Sequence, residues 1–127
     1  MKIRRGFVTN SSSSSYIIAK KKDATLADIK NSLLKVEGEA RSFLVENRNW
    51  LDLESDVEEL MKKEDYDKAA EVFLEYVAGY LYNSFNSGTL GDWKVGLDEF
   101  WSDSGDPYEF FIIDSAWCIG DENLQII

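Results

Sequence analysis

The sequence predicts an α+β domain: a small, mostly antiparallel sheet, built from an N-terminal hairpin and C-terminal strands, with two to three helices packed on one face. Three observations carry this. Short runs of strand-forming residues stand at both ends of the chain. Amphipathic helical stretches fill the middle. The two kinds are segregated rather than alternating, which argues against a parallel βαβ sheet. The 127 residues are 44% apolar and 13% aromatic, enough for one core, and no repeat or linker divides residues 1–127.

The elements follow in order. Lys2–Val8 and Tyr16–Ala19 read as two strands, joined across Thr9–Ser15, where Asn and Ser favour turns. Thr25 is the expected cap of a first helix, with Asp28 in its first turn. Ile29, Leu33 and Val36 then fall on one face, and Gly38 is the expected stop. Arg41–Glu46 fits a strand or a helix. Ser55-Asp56-Val57-Glu58 has the spelling of a capping box, followed by Glu58–Lys62 and Glu59–Lys63 at helical spacing. Tyr66–Phe85 is the strongest helix, with Ala69, Val72, Phe73, Tyr76, Val77, Tyr80 and Leu81 as its inward stripe. After a polar loop over Asn83–Gly91, Trp93, Val95 and Leu97 alternate with polar residues and predict a half-buried strand. Asp103–Pro107 is a turn. Tyr108–Ile113 reads as a covered strand, and Trp117–Ile119 and Leu124–Ile127 as further strands.

Charge narrows the functional classes. Fourteen basic and 24 acidic residues give a net −10. Lys2, Arg4, Arg5, Lys20, Lys21 and Lys22 fall in residues 1–22 with no acid. That leaves 8 of the 14 basic and all 24 acidic residues for the rest, a net of −16. Such a body repels nucleic acid and anionic membrane, so neither is an expected partner. Cys118 is the single cysteine, which rules out an internal disulfide and favours a reducing cytoplasm; its apolar neighbours suggest a buried, inert thiol. Gly6-Phe7-Val8 is too short for a signal-peptide core, and no apolar run approaches a membrane span. With no histidine, the commonest general base and metal ligand are missing, and no Cys/His zinc site can form.

The opening MKIRRGFVTNSSSSSYII resembles an N-terminal signature, MKIRxGFVxNSSSSS followed by an aromatic residue and Ile. That signature belongs to uncharacterised proteins of low-GC Gram-positive bacteria and their phages. The resemblance implies a bacterial or phage origin, and a host cytosol as the place of action. It implies no activity and assigns no functional residue.

Three constellations remain. Asn10, Ser11, Ser12 and Ser13, with Arg4 and Arg5 close in sequence, form a candidate anion or nucleotide loop, although no glycine-rich phosphate motif accompanies them. Asp92, Asp98, Glu99, Asp103, Asp106 and Asp114 form an acidic group, but the calcium-loop pattern is absent, so no metal or other cofactor is expected. No serine or cysteine nucleophile pattern occurs, and the chain reads as a non-enzyme. The third constellation is aromatic. Most of Trp50, Trp93, Phe100, Trp101, Tyr108, Phe110, Phe111 and Trp117 are expected in the core. Trp101, beside an acidic turn, is the candidate anchor. The reading is a small acidic binding protein docking a basic protein surface through Trp101, Asp98, Glu99, Asp103 and Asp106, as a phage counter-defence or host-takeover inhibitor would. The alternatives are an immunity protein against a toxin and a small-ligand binder using the Asn10–Ser15 loop.

Overall fold

A computed structural model describes residues 13–101 and 106–127. The expected strand Lys2–Val8, and with it the first arm of the predicted hairpin, lies outside the described residues, as do Arg4, Arg5, Asn10, Ser11, Ser12 and Asp103. Strand β1 (Ser13–Lys21) begins inside the serine run. Ser13, Ser14 and Ser15 are therefore strand rather than loop. Their backbones pair with Trp101, Phe100 and Glu99, and this ladder overrides the turn preference of serine.

Helix α1 (Leu26–Leu34) starts as expected. The Thr25 N–H donates to Asp28 Oδ2 at 2.9 Å and the Asp28 N–H to Thr25 Oγ1 at 3.3 Å, a reciprocal box that satisfies two otherwise unpaired donors. Ile29 and Leu33 are buried. Gly38 does not stop this helix; it lies in the first turn of α2 (Glu37–Asn47), which absorbs Arg41–Glu46 and buries Ala40, Phe43 and Leu44. Helix α3 (Ser55–Lys62) is capped at Glu54, with no side-chain cap bond. The Ser55 box does not form, because Ser55 is already helical and Asp56 accepts from the Val57 N–H and the Tyr76 hydroxyl. The Glu58–Lys62 pair is present at 3.3 Å.

Helix α4 (Tyr66–Tyr82) stops short of Phe85. Its inward face is wider than predicted and turned toward Ala70, Leu74 and Ala78, while Val72, Tyr76 and Tyr80 are only half-buried. The reason is that α1, α2 and α3 all pack on α4, so adjacent pairs such as Phe73-Leu74 and Val77-Ala78 are both covered.

Strands β2 (Gly88–Leu90) and β3 (Trp93–Trp101) form a tight hairpin through Gly91 and Asp92. Gly91 has φ 59°, in the left-handed region where glycine carries no Cβ penalty. Helix α5 (Pro107–Ser115) replaces the strand expected at Tyr108–Ile113. Asp106 caps it by accepting the Tyr108 N–H at 2.8 Å, and Pro107 sits at its start, where a missing N–H costs nothing. A 3₁₀ turn (Ala116–Cys118) replaces the strand expected at Trp117–Ile119, and β4 (Leu124–Ile126) closes the sheet.

Among the described residues the result is an α+β fold of five helices and an antiparallel sheet in the order β2-β3-β1-β4. Phenylalanines fill its centre: Phe43, Phe73 and Phe111 meet at centroid distances of 5.3 to 5.9 Å, and Phe100 and Ile18 join the sheet to them. Contrary to expectation, Trp50, Trp93 and Trp117 are not buried; Trp101 is exposed, as an anchor would be.

Candidate functional site

The sheet has two unlike faces. Gly96 and Phe100 of β3 point toward the helices and are buried. The apolar set expected to face inward, Trp93, Val95 and Leu97, points the other way. Gly96 dictates this phase: its missing side chain makes room for the Ser84 carbonyl oxygen at the end of α4, so the even-numbered residues must face the helices. Cross-strand partners share a face, so Ile17 lies opposite Leu97, Ala19 opposite Val95 and Leu90 opposite Trp93. Ile127 exchanges two backbone bonds with Ile17 at 2.8 and 3.0 Å and joins the same face. Ile17 is 45% exposed, Leu97 67%, Leu90 73% and Ile127 75%. Among the described residues these side chains form an exposed apolar face, and exposed apolar surface of this kind marks interaction sites. Its margins are polar: Lys21 sits 4.6 Å over the Trp93 ring at one end, and Glu99 and Trp101 lie at the other.

Trp101 is 41% exposed at the last position of β3. Behind it, on the helical side, an aromatic row runs Tyr16, Phe100, Tyr80, Tyr108, Tyr76, with successive centroids 5.5 to 6.3 Å apart. The three phenols of α4 and α5 in this row each donate to a carboxylate: Tyr76 to Asp56 at 2.9 Å, Tyr80 to Glu109 at 3.0 Å and Tyr108 to Glu54 at 3.3 Å. Burial and the Glu109 carboxylate push the Tyr80 hydroxyl well above the usual tyrosine range. Burial and Glu54 do the same at Tyr108. At Tyr76 the hydrogen bond to Asp56 is the leading cause of an upward shift. All three stay protonated donors at neutral pH. A carboxylate oxygen keeps further lone pairs after accepting one phenol, so the row can accept a cationic side chain over aromatic rings.

The sequence-derived candidates divide. Trp101 and Glu99 share the open sheet face. Asp98 lies on the opposite, helical side, with a buried Oδ2 that has no hydrogen-bond partner. Asp106 is the helix cap described above, a structural duty that sets it apart from a free docking charge. With Asp98 and Glu109, it contributes to the field that raises Tyr80. The acidic residues of this region gather no metal site: among the described residues no group of three or more potential ligands converges. Cys118 is half-buried and donates to the Ser115 carbonyl at 3.1 Å. No helix among the described residues is long and apolar enough to cross a membrane. Sequence reasoning missed the tyrosine row and Ile17, Leu90, Leu97 and Ile127. Tyr76 and Tyr80 stand one turn apart, and their hydroxyls are out of place in a core stripe; that was the available signal.

Fold and surface together define a two-layer α+β domain with helices on one side of its sheet and an apolar, aromatic-edged face on the other. No family model, curated protein or solved structure matches the chain.

Proposed function

We propose that this chain is a non-enzymatic binding domain of bacterial or phage origin, acting in the host cytosol, that inhibits or sequesters a protein with a basic surface. The observation that carries the reading is the placement of Trp101: half-exposed, at the edge of an apolar sheet face that no other described element covers, beside Glu99 and in front of the tyrosine–carboxylate row. Tryptophan anchors surrounded by polar rims supply much of the energy of protein interfaces, and opposite charges steer the encounter. A net charge of −10 favours a basic protein and disfavours nucleic acid as the direct partner.

The test is capture from the native host on the immobilised chain, followed by surface-plasmon kinetics across a salt series. Association is expected to slow as salt rises, and Glu99→Gln to flatten that dependence. Trp101→Ala is expected to speed dissociation by roughly 30-fold, the equivalent of about 2 kcal/mol. Glu99 rather than Asp106 is the charge to test, because altering Asp106 would uncap α5. Salt-independent association, or unchanged dissociation in Trp101→Ala, would refute the reading.

A further inference from the structure

We propose that the cleft between the end of α2 and helix α3 is a binding site for a carboxylate carried on an apolar body. The site is independent of the Trp101 surface. Its volume is about 430 Å³, within the range of small-molecule sites. Leu51, Leu53 and Met61 contribute apolar lining, and Arg48, Lys62 and Glu58 contribute charge. The lining therefore carries two cations and one anion, a local net of +1 in a chain whose net charge is −10.

Arg48 is the residue that specifies the ligand. Its Nη1 donates to the Tyr66 hydroxyl at 3.0 Å, and among the described residues no carboxylate pairs with it. A guanidinium offers five N–H donors in a planar fork that matches a carboxylate, so four donors remain. In a protein with 24 acidic residues, an arginine left without one is an opening for a carboxylate from outside. The Tyr66 bond fixes the guanidinium at one corner, so less side-chain freedom is lost when a ligand binds. Lys62 is held 3.3 Å from Glu58, in an exposed pair that contributes little and is easily rearranged.

The apolar lining sets the rest of the chemistry. Inorganic phosphate would satisfy Arg48 yet leave the partly exposed Leu51 and Leu53 wet, and its second charge would face Glu58. A neutral apolar molecule would cover the floor and leave the guanidinium unused. A monocarboxylate with a chain of several carbons meets both. The same chemistry is offered by a free organic acid and by the C-terminal residue of a peptide ending in leucine.

The experiment titrates the full chain, labelled with ¹⁵N, with octanoate, octan-1-ol and inorganic phosphate, reading amide and Arg side-chain shifts. Octanoate is expected to move Arg48, Leu51, Leu53 and Met61 signals and to bind at least about 10-fold more tightly than either control. Arg48→Gln is expected to erase that preference, Arg48→Lys to retain part of it, and Glu58→Gln to tighten octanoate. Arg48 is exposed, so the variants keep the fold, and the dispersion of their spectra checks it. Equal binding of octan-1-ol or phosphate, or an Arg48→Gln variant that still prefers octanoate, overturns the proposal. A short Leu-terminated peptide and its C-terminal amide then distinguish the sources. A free-acid peptide that outcompetes octanoate, while its amide does not, identifies a protein C-terminus; the reverse order identifies a small organic acid.

Discussion

Lys20 offers the sharpest test of how this fold is held. It is 6% exposed, faces the helices from β1, and makes no ion pair among the described residues. Its Nζ instead donates to three main-chain carbonyls, those of Lys21 and Lys22 at 3.2 Å and Ala24 at 3.0 Å, clasping the turn that leads from β1 into α1. The Tyr82 ring lies 5.7 Å away. Lys20→Met keeps the stem and its packing and removes the three donors. Hydrogen bonds from a charged donor are each worth roughly 1.5–3 kcal/mol. The carbonyls of Lys21 and Lys22 lie nearer the surface and can turn to water, so most of their share is recovered. The bond to Ala24 is buried, and its carbonyl would stay unsatisfied. Relief from burying the ammonium offsets part of the loss. The expected net cost is about 2–4 kcal/mol, a large share of the roughly 5–15 kcal/mol that holds a domain of this size. Urea denaturation followed by tryptophan fluorescence measures it, with the m-value as a check that the unfolded state is unchanged. A loss under about 0.5 kcal/mol would refute the claim that these three bonds secure the turn.

Three further outcomes are expected. Gly96→Ala places a methyl group on the Ser84 carbonyl oxygen, backbone against backbone, and should cost several kcal/mol or prevent folding, as read by thermal melting. Burial opposes ionisation of Asp121, but bonds from Lys35 at 2.8 Å, the Asn123 N–H, Ser32 and the Leu124 N–H outweigh it and hold its carboxyl below the usual range. Its contribution is therefore complete above the unfolded carboxylate pKa of about 3.9 and is lost as pH falls through the lower folded value. Asp121→Asn should weaken the protein at pH 7 and flatten the acid limb of its stability curve below pH ~4; an unchanged limb would count against this assignment. Glu64 holds φ 61° between α3 and α4, so Glu64→Gly should raise stability by roughly 0.5–1 kcal/mol, and a loss in urea titration would contradict the strain.

Much of the helical layer was legible from its apolar periodicity and from the start signal at Thr25, whereas the end signals at Gly38 and Phe85 and the Ser55 box misled. Thr25 caps α1 as expected, with Asp28 completing a box that was not predicted, and the helix expected over Tyr66–Phe85 is present as Tyr66–Tyr82. The failures share a cause. Tyr108–Ile113 is a short apolar run whose type periodicity cannot settle, and the informative signal was the neighbouring Asp106-Pro107, a cap followed by a favoured first helical residue. In β3 the alternation identified a strand but not which set faces the helices. The buried set contains Gly96 and the half-buried Asp98, and the outward set is richer in apolar side chains, so the usual rule inverts. That inversion also hid the candidate surface. Trp101 and Glu99 were readable as an aromatic beside an acid, whereas Ile17, Leu97 and Ile127 come together only through pairing between distant segments.

The position of β1 has a consequence for how the chain is made. It lies between β3 and β4, yet α1, α2, α3 and α4 separate it in sequence from all of β2, β3 and β4. During synthesis Tyr16-Ile17-Ile18-Ala19 emerges before its partners β3 and β4, and neither ladder forms until Trp93–Trp101 has left the ribosome. A β-rich apolar segment with two open edges is a template for the wrong partner. The helices can gather around α4 in the meantime, since their contacts are nearer in sequence. Translation speed through the helical stretch thus bears directly on yield: a pause there lengthens the exposure of β1, and a nascent-chain chaperone has one defined segment to shelter.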